Sequence, residues 1–305
     1  MQKNPVDYIV PLNMNGLQGR MLRLPSRRKS HKEILVIYGH HAMLERWWGL
    51  AENLNQYGNV TMPDLPGFGG MDSFSQIGDK PTIDNYADYL ASFIKLRYRN
   101  RRFKIFGISW GFVVVTRMLQ RYPELTKRID LLVSATGFAH YDDFQYSTLR
   151  RRSYRVATRL VAIRPIAFLF RVLCLNPFVI RQAYAHTYNG RHKFKNLGDP
   201  SRFTKLMDME ARLWAVNDVT THMLTACEFL GLNNCKVQVS IPVEHICSTN
   251  DHYFDNDMVM QHLQIIYRQV AMHEADLEQH ISSVIADKKE ASYLLPKAVR
   301  RKLAQ

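Results

Sequence analysis

The sequence predicts an α/β fold, a mostly parallel sheet with helices on both faces. Three observations carry that reading. Short continuous apolar runs, above all "EILVIYG" (33–39) and "FKIFGIS" (103–109), look like strands covered on both sides. Segments with helical spacing of apolar residues alternate with them. The alternation stops after residue 137 and resumes after 240, as expected of one sheet interrupted by a helical insertion.

In chain order, "VDYIVPL" (6–12) and "QGRMLRL" (18–24) read as two strands joined through Asn15-Gly16, a hairpin signal. A basic loop, "PSRRKSHK", leads into the strand at 33–39, and residues 42–57 have a helical pattern. "GNVTMPDL" (58–65) is the next strand and runs into the turn-rich "PGFGG". A helix over 82–99 starts at Thr82, a side chain suited to capping. "FKIFGIS" is a strand, and "WGFVVVTRMLQRY" a helix despite its β-branched run. "IDLLVSATG" (129–137) is a strand. Then come 103 residues, 138–240, that are largely helical, basic and rich in aromatic side chains. The chain closes with a strand in "KVQVSIPVEHICS" (236–248), a helix near 255–266, a strand at "RQVAMHE" (268–274) and a last helix from Ile281 onward.

Composition narrows the function. With 46% hydrophobic residues in 305, a large core can be buried. The four cysteines (174, 227, 235 and 247) have no zinc-motif spacing, and no stretch reads as an export signal. Reduced thiols and a cytoplasmic location are therefore expected. The net charge of +14 is distributed as +8 over 1–137, +8 over 138–240 and −2 over 241–305. Such an excess attracts anionic partners without naming one. Residues 156–180 are apolar, but Arg159, Arg164 and Arg171 interrupt them and Pro165 and Pro177 break the helix, so they do not form a membrane span. Short amphipathic helices of a lid are the expected form of that stretch, with shallow burial in a bilayer surface as the alternative.

The chemistry centres on Gly107-Ile108-Ser109-Trp110-Gly111. A serine hydroxyl needs an adjacent imidazole to take its proton, a carboxylate to orient that imidazole, and two N–H groups to hold the oxyanion. A strand–turn–helix around a glycine-flanked serine is the context in which such a nucleophile is presented. The helix starting at Trp110 aims its N-terminus at Ser109. The loop "YGHHAM" follows the earlier buried strand and supplies the His40 N–H as a second donor beside that of Trp110. For the acid, Asp251 lies in the polar turn after "IPVEHICS", while Asp255 and Asp257 fall where the next helix needs a cap. For the base, His280 follows the last strand; His273 lies within it, His252 adjoins the acid, and His245 is less well placed. His40 and His41 are adjacent and poor joint metal ligands, so no metal and no cofactor are expected.

With "LVIYGHH", "DLPGFGG", "GISWG", "IPVEHICSTND" and His280 in the order serine, acid, histidine, the chain resembles the α/β-hydrolase superfamily, in its serine hydrolase branch with a cap domain. The resemblance implies an eight-stranded, mostly parallel sheet with one antiparallel strand. It implies a core of residues 1–137 and 241–305 with a helical cap, 138–240, inserted between strands six and seven. It also implies structural roles for Asp64 and Gly67. Tyr38 and Gln279 depart from the family's usual histidine and glycine. The aspartate-nucleophile members are disfavoured by Ser109.

The expected function is a serine hydrolase cleaving a carboxylic ester, esterase or lipase-like, through Ser109, Asp251 and His280. Its partner would be a small-molecule ester or acyl lipid, with peripheral contact with an anionic membrane. Phe168, Phe170, Phe178 and Trp214 of the cap are expected to line an acyl pocket. The alternatives are another reaction of the same fold (acyltransferase, thioesterase, C–C hydrolase or perhydrolase) and a non-catalytic binder of membrane or nucleic acid. The binder would use "LRRRSYR" (149–155) and "RYRNRR" (97–102). Nucleic acid is disfavoured, because a binder has no use for the three ordered residues.

Overall fold

The computed structural model describes residues 4–26, 32–186, 200–249, 251–275, 277 and 288–305. His280, Gln279 and residues 281–287 of the expected last helix lie outside the described residues, as does most of the basic loop after residue 26.

Eight strands form one sheet: β1 (Ile9–Met14), β2 (Leu17–Leu24), β3 (Glu33–Ile37), β4 (Asn59–Pro63), β5 (Phe103–Ile108), β6 (Ile129–Ala135), β7 (Val243–Ser248) and β8 (Val270–Ala275). They lie in the order β1-β2-β4-β3-β5-β6-β7-β8. Only β2 runs against its neighbours, pairing antiparallel with β1 and β4. The remaining pairs are parallel. The expected single antiparallel strand is thus present. The turn joining β1 and β2 places Asn15 at φ 53° and Gly16 at φ 79°, the left-handed pair that a two-residue hairpin needs.

The central strands β3 and β5 are buried along their whole length, as their uninterrupted apolar runs require. Helices α1 (Trp48–Leu54), α2 (Ile83–Tyr98) and α3 (Trp110–Arg121) follow β3, β4 and β5. Thr82 caps α2 by accepting the Asn85 N–H at 3.2 Å. Between β6 and β7 the chain runs through α4 (Thr148–Val161), α5 (Arg164–Cys174), α6 (Pro177–His186), α7 (Pro200–Val216) and α8 (Val219–Phe229). Helix α9 (Asn256–Ile266) begins at Asp255, whose carboxylate accepts the Asp257 and Met258 N–H groups. Two short helices, α10 (Lys288–Tyr293) and α11 (Lys297–Ala304), end the chain where one was expected, separated by Pro296.

Strand β7 is shorter than the expected 236–248. Val237 is exposed, and Val239 makes only an isolated bridge to Tyr267. Pro242 supplies no N–H for a ladder at the strand's start.

Candidate active site

Ser109 follows β5 directly and carries φ 47° and ψ −118°. A non-glycine residue in that region is strained, and the surroundings hold it there. Its N–H donates to Ala135 O at 2.9 Å, while its carbonyl accepts the Phe112 N–H at 3.0 Å. The two flanking glycines are demanded by close approach. A Cβ on Gly111 would lie 2.3 Å from Ile37 O and 2.4 Å from Tyr38 O; one on Gly107 would lie 2.9 Å from the Phe112 Cα. Ser109 occupies the cap position of α3, yet its side chain accepts no capping hydrogen bond. A serine kept merely to cap a helix would bond the N–H two or three residues on.

The loop after β3 lies against the serine: a Cβ on Gly39 would come within 3.3 Å of the Ser109 Cβ. The next residue, His40, turns its ring away into α8. Its Nε2 is 2.8 Å from Thr225 Oγ1 and 3.2 Å from His222 O. A carbonyl only accepts, so Nε2 carries the proton. Desolvation, with the nearby His41, pushes the pKa of His40 down to about 3 and keeps the ring neutral. As the first residue of α3, Trp110 has no intrahelical partner for its N–H.

Tyr38 explains its own departure from the family pattern. Its buried hydroxyl accepts the Leu65 N–H at 2.8 Å and donates to Asp64 Oδ1 at 2.9 Å. Asp64 is fully buried and is also bound by Arg20, whose Nε donates to Oδ2 at 3.1 Å. Burial pushes the Asp64 carboxyl up to about 8, against the pull of Arg20 and the tyrosine hydroxyl. The turn that follows is equally tight: a Cβ on Gly69, at φ 63°, would strike Asp64 Oδ1 at 2.0 Å. Asp64 and Gly67 therefore serve structure. Gly67 O accepts the Asp218 N–H at 2.9 Å, which ties this loop to the start of α8. Changing Tyr38 to Phe takes one hydrogen bond each from the buried Leu65 N–H and the buried Asp64 carboxyl group. The expected cost is about 2 kcal/mol, read as a lower urea midpoint at unchanged slope.

Asp251 lies three residues beyond β7. Its Oδ1 accepts the N–H groups of Tyr253 (2.8 Å) and Phe254 (3.1 Å), an Asx turn that fixes the carboxylate. The Gln145 side chain holds the same turn by donating to Asp251 O and Phe254 O. Two competing histidines are accounted for. His273, in β8, bonds Glu244 Oε2 at 2.7 Å, and Glu244 also pairs with Lys302. His245 is buried against the Ser134 hydroxyl at 2.9 Å, and desolvation pushes its pKa down to about 4. Register puts His273 level with Ile108 across β6 and β7, three strand spacings or about 14 Å from β5. That separation is too wide for proton transfer with Ser109.

One set of expectations needs correction. Phe168 and Phe178 are 66% and 71% exposed, so they line no enclosed acyl pocket. Helix α5 turns Ala167 inward, and Arg171 is tied by its guanidinium to the carbonyls of Trp214 and Ala215. Trp214 does reach the site, 4.2 Å from the His41 ring and 4.6 Å from His222. Sequence reading missed the α8 residues that face it. Phe229 packs 5.1 Å from the His40 ring and 5.9 Å from Trp110. His222 sits 4.2 Å from His40, its pKa pushed well down by desolvation. Phe68 closes the other side of His40 at 5.4 Å. Among the described residues, no cluster of His, Cys, Asp or Glu is arranged to hold a metal ion.

A family model described as alpha/beta hydrolase fold matches residues 33–264. No curated protein matches the sequence. Among solved structures, a putative lipase (lip1) from Acinetobacter baumannii AYE superposes with a TM-score of 0.67 at 15% identity, covering 97% of this chain and 92% of its own. A thermophilic esterase from Thermogutta terrifontis gives 0.64 at 14%, covering 97% and 99%. The enol-lactonase from Burkholderia xenovorans LB400 gives 0.64 at 15%, covering 97% and 100%. At such identities the likeness is one of fold.

Proposed function

Since the chain belongs to the α/β-hydrolase fold family, we propose that it is a serine hydrolase that cleaves a carboxylic ester, in the manner of an esterase or lipase. His280 takes the Ser109 proton as Oγ attacks the ester carbonyl carbon. Asp251 orients the imidazole and stabilises its charged form. The N–H groups of His40 and Trp110 hold the oxyanion, each donor lowering the barrier by about 3 kcal/mol. The imidazolium returns its proton to the leaving alcohol, and an acyl-enzyme remains. Water, deprotonated by the same histidine, then attacks that acyl group and releases the acid. No cofactor is required. Residues 138–240 act as the cap over this site, with Trp214 and Phe229 as its aromatic wall. The substrate is a small-molecule ester or an acyl lipid. A cytoplasmic location, with peripheral attachment to a membrane surface, belongs to the same proposal.

One observation carries the reading: Ser109 is held at φ 47° between strand and helix, its side chain spared from capping and the Gly39 loop packed against it. The test is covalent labelling with a fluorophosphonate. Wild type is expected to label, and Ser109→Ala and His280→Ala are not. Absence of labelling on folded wild type overturns the proposal. Labelling that survives His280→Ala moves the base elsewhere.

A further inference from the structure

Helix α5 is amphipathic in the reverse sense for a helix on a protein surface. Its apolar side chains Phe168, Leu169, Val172 and Leu173 are 52–66% exposed. With Ile166 they fill an arc of about 160° on the outward side. The side facing the protein carries Ala167 and the tethered Arg171. Leu160, near the C-terminus of α4 and only two residues of linker from α5, is 53% exposed as well. A contiguous apolar surface of this kind marks a docking face.

Charge identifies the occupant. Residues 144–186 contain eight arginines and no aspartate or glutamate. Arg151 and Arg181 pair with Asp142 and Asp208. Arg152 and Arg164, both exposed, have no carboxylate in ion-pair range among the described residues. A second copy of this face would bring arginines against arginines. A nucleic acid would use the arginines and leave the aliphatic stripe in water. A bilayer surface rich in anionic lipid satisfies both, with acyl chains for the stripe and headgroup phosphates for the guanidiniums. Among the described residues, no single helix is long and apolar enough to cross a membrane. Arg164–Cys174 and Pro177–Ala183 pass that test only together, and they are bent by 75°.

We propose that the outward face of α4 and α5 seats the protein on an anionic membrane surface, with the aliphatic side chains of α5 entering the headgroup boundary. This rests on the peripheral attachment proposed above and deepens it by naming the surface and the lipid chemistry; binding and ester turnover can fail independently.

The test is co-sedimentation of the full chain with phosphatidylglycerol–phosphatidylcholine vesicles and with pure phosphatidylcholine vesicles, alongside turnover of a soluble short-chain ester. Wild type is expected to partition onto the anionic vesicles and to be released by high salt. The pair Leu169→Glu with Leu173→Glu is expected to lower partitioning at least tenfold, and Arg152→Gln and Arg164→Gln about fivefold each. Unchanged thermal melting of these variants shows that the fold persists, and unchanged ester turnover separates the docking face from the site. The proposal is overturned by any of four outcomes. These are no binding of wild type to anionic vesicles, equal binding of the leucine variant, a salt-resistant inserted form, and a dimer that the leucine variant dissolves in place of vesicle binding.

Discussion

Exchange of Ser109 for glycine is expected to lower ester turnover by at least about 10⁴-fold, because the proposed nucleophile is removed and the groups proposed to activate it are left without a hydroxyl to act on. The same exchange raises stability. Ser109 is held at φ 47° and ψ −118°, which costs a side-chain-bearing residue about 1–3 kcal/mol, and glycine adopts positive φ without steric penalty. Glycine's larger loss of backbone entropy takes back part of that gain, so the net expectation is about 1 kcal/mol. Steady-state kinetics and urea unfolding on one preparation measure both. Turnover within tenfold of wild type would move the nucleophile elsewhere. A loss of stability would mean that the backbone at 109 is not strained.

Gly111→Ala is expected to destabilise the protein by at least about 3 kcal/mol and to cut turnover with it. The added Cβ would meet two carbonyl oxygens at 2.3 and 2.4 Å, those of Ile37 and Tyr38. Both are backbone atoms at the end of β3, so relief comes only by parting α3 from β3. That movement carries Gly39 and His40 away from Ser109. Gly70→Ala is the control. Gly70 has φ 87° but nothing within 4 Å of a built Cβ, so only backbone strain is paid, about 1 kcal/mol. Equal effects of the two substitutions in urea unfolding would refute the close-approach argument.

Much of the fold can be read from the chain because its signals are local. The buried runs at 33–37 and 103–108 have no polar residue to turn toward water except Glu33 and Lys104, each near a strand start. Asn15-Gly16, Thr82 and Asp255 act through their own backbone neighbours, so their roles are visible without tertiary contacts. Ser109 and the His40 loop were legible for the same reason, since glycines mark both turns. The facing helices were not. Hydrophobicity says that a helix has an apolar side but not which way it points. Phe168 and Phe178 therefore read as pocket residues, although they face solvent. The contribution of α8 was hidden differently. Thr225 and Phe229 sit on an ordinary helical pattern, and only the approach of that helix to the loop after β3 brings them to His40.

Gln145 staples the first stretch of the insertion to the turn that bears Asp251. Its backbone N–H donates to Tyr253 O at 2.9 Å, its side chain reaches Phe254 O at 2.8 Å, and Phe144 bridges Phe254. Asp255 N–H adds a bond to Asp143 O at 2.8 Å, so the lead-in to α4 and the turn of Asp251 are moored as one piece. A change that loosens 144–146 therefore loosens the Asp251 carboxylate as well.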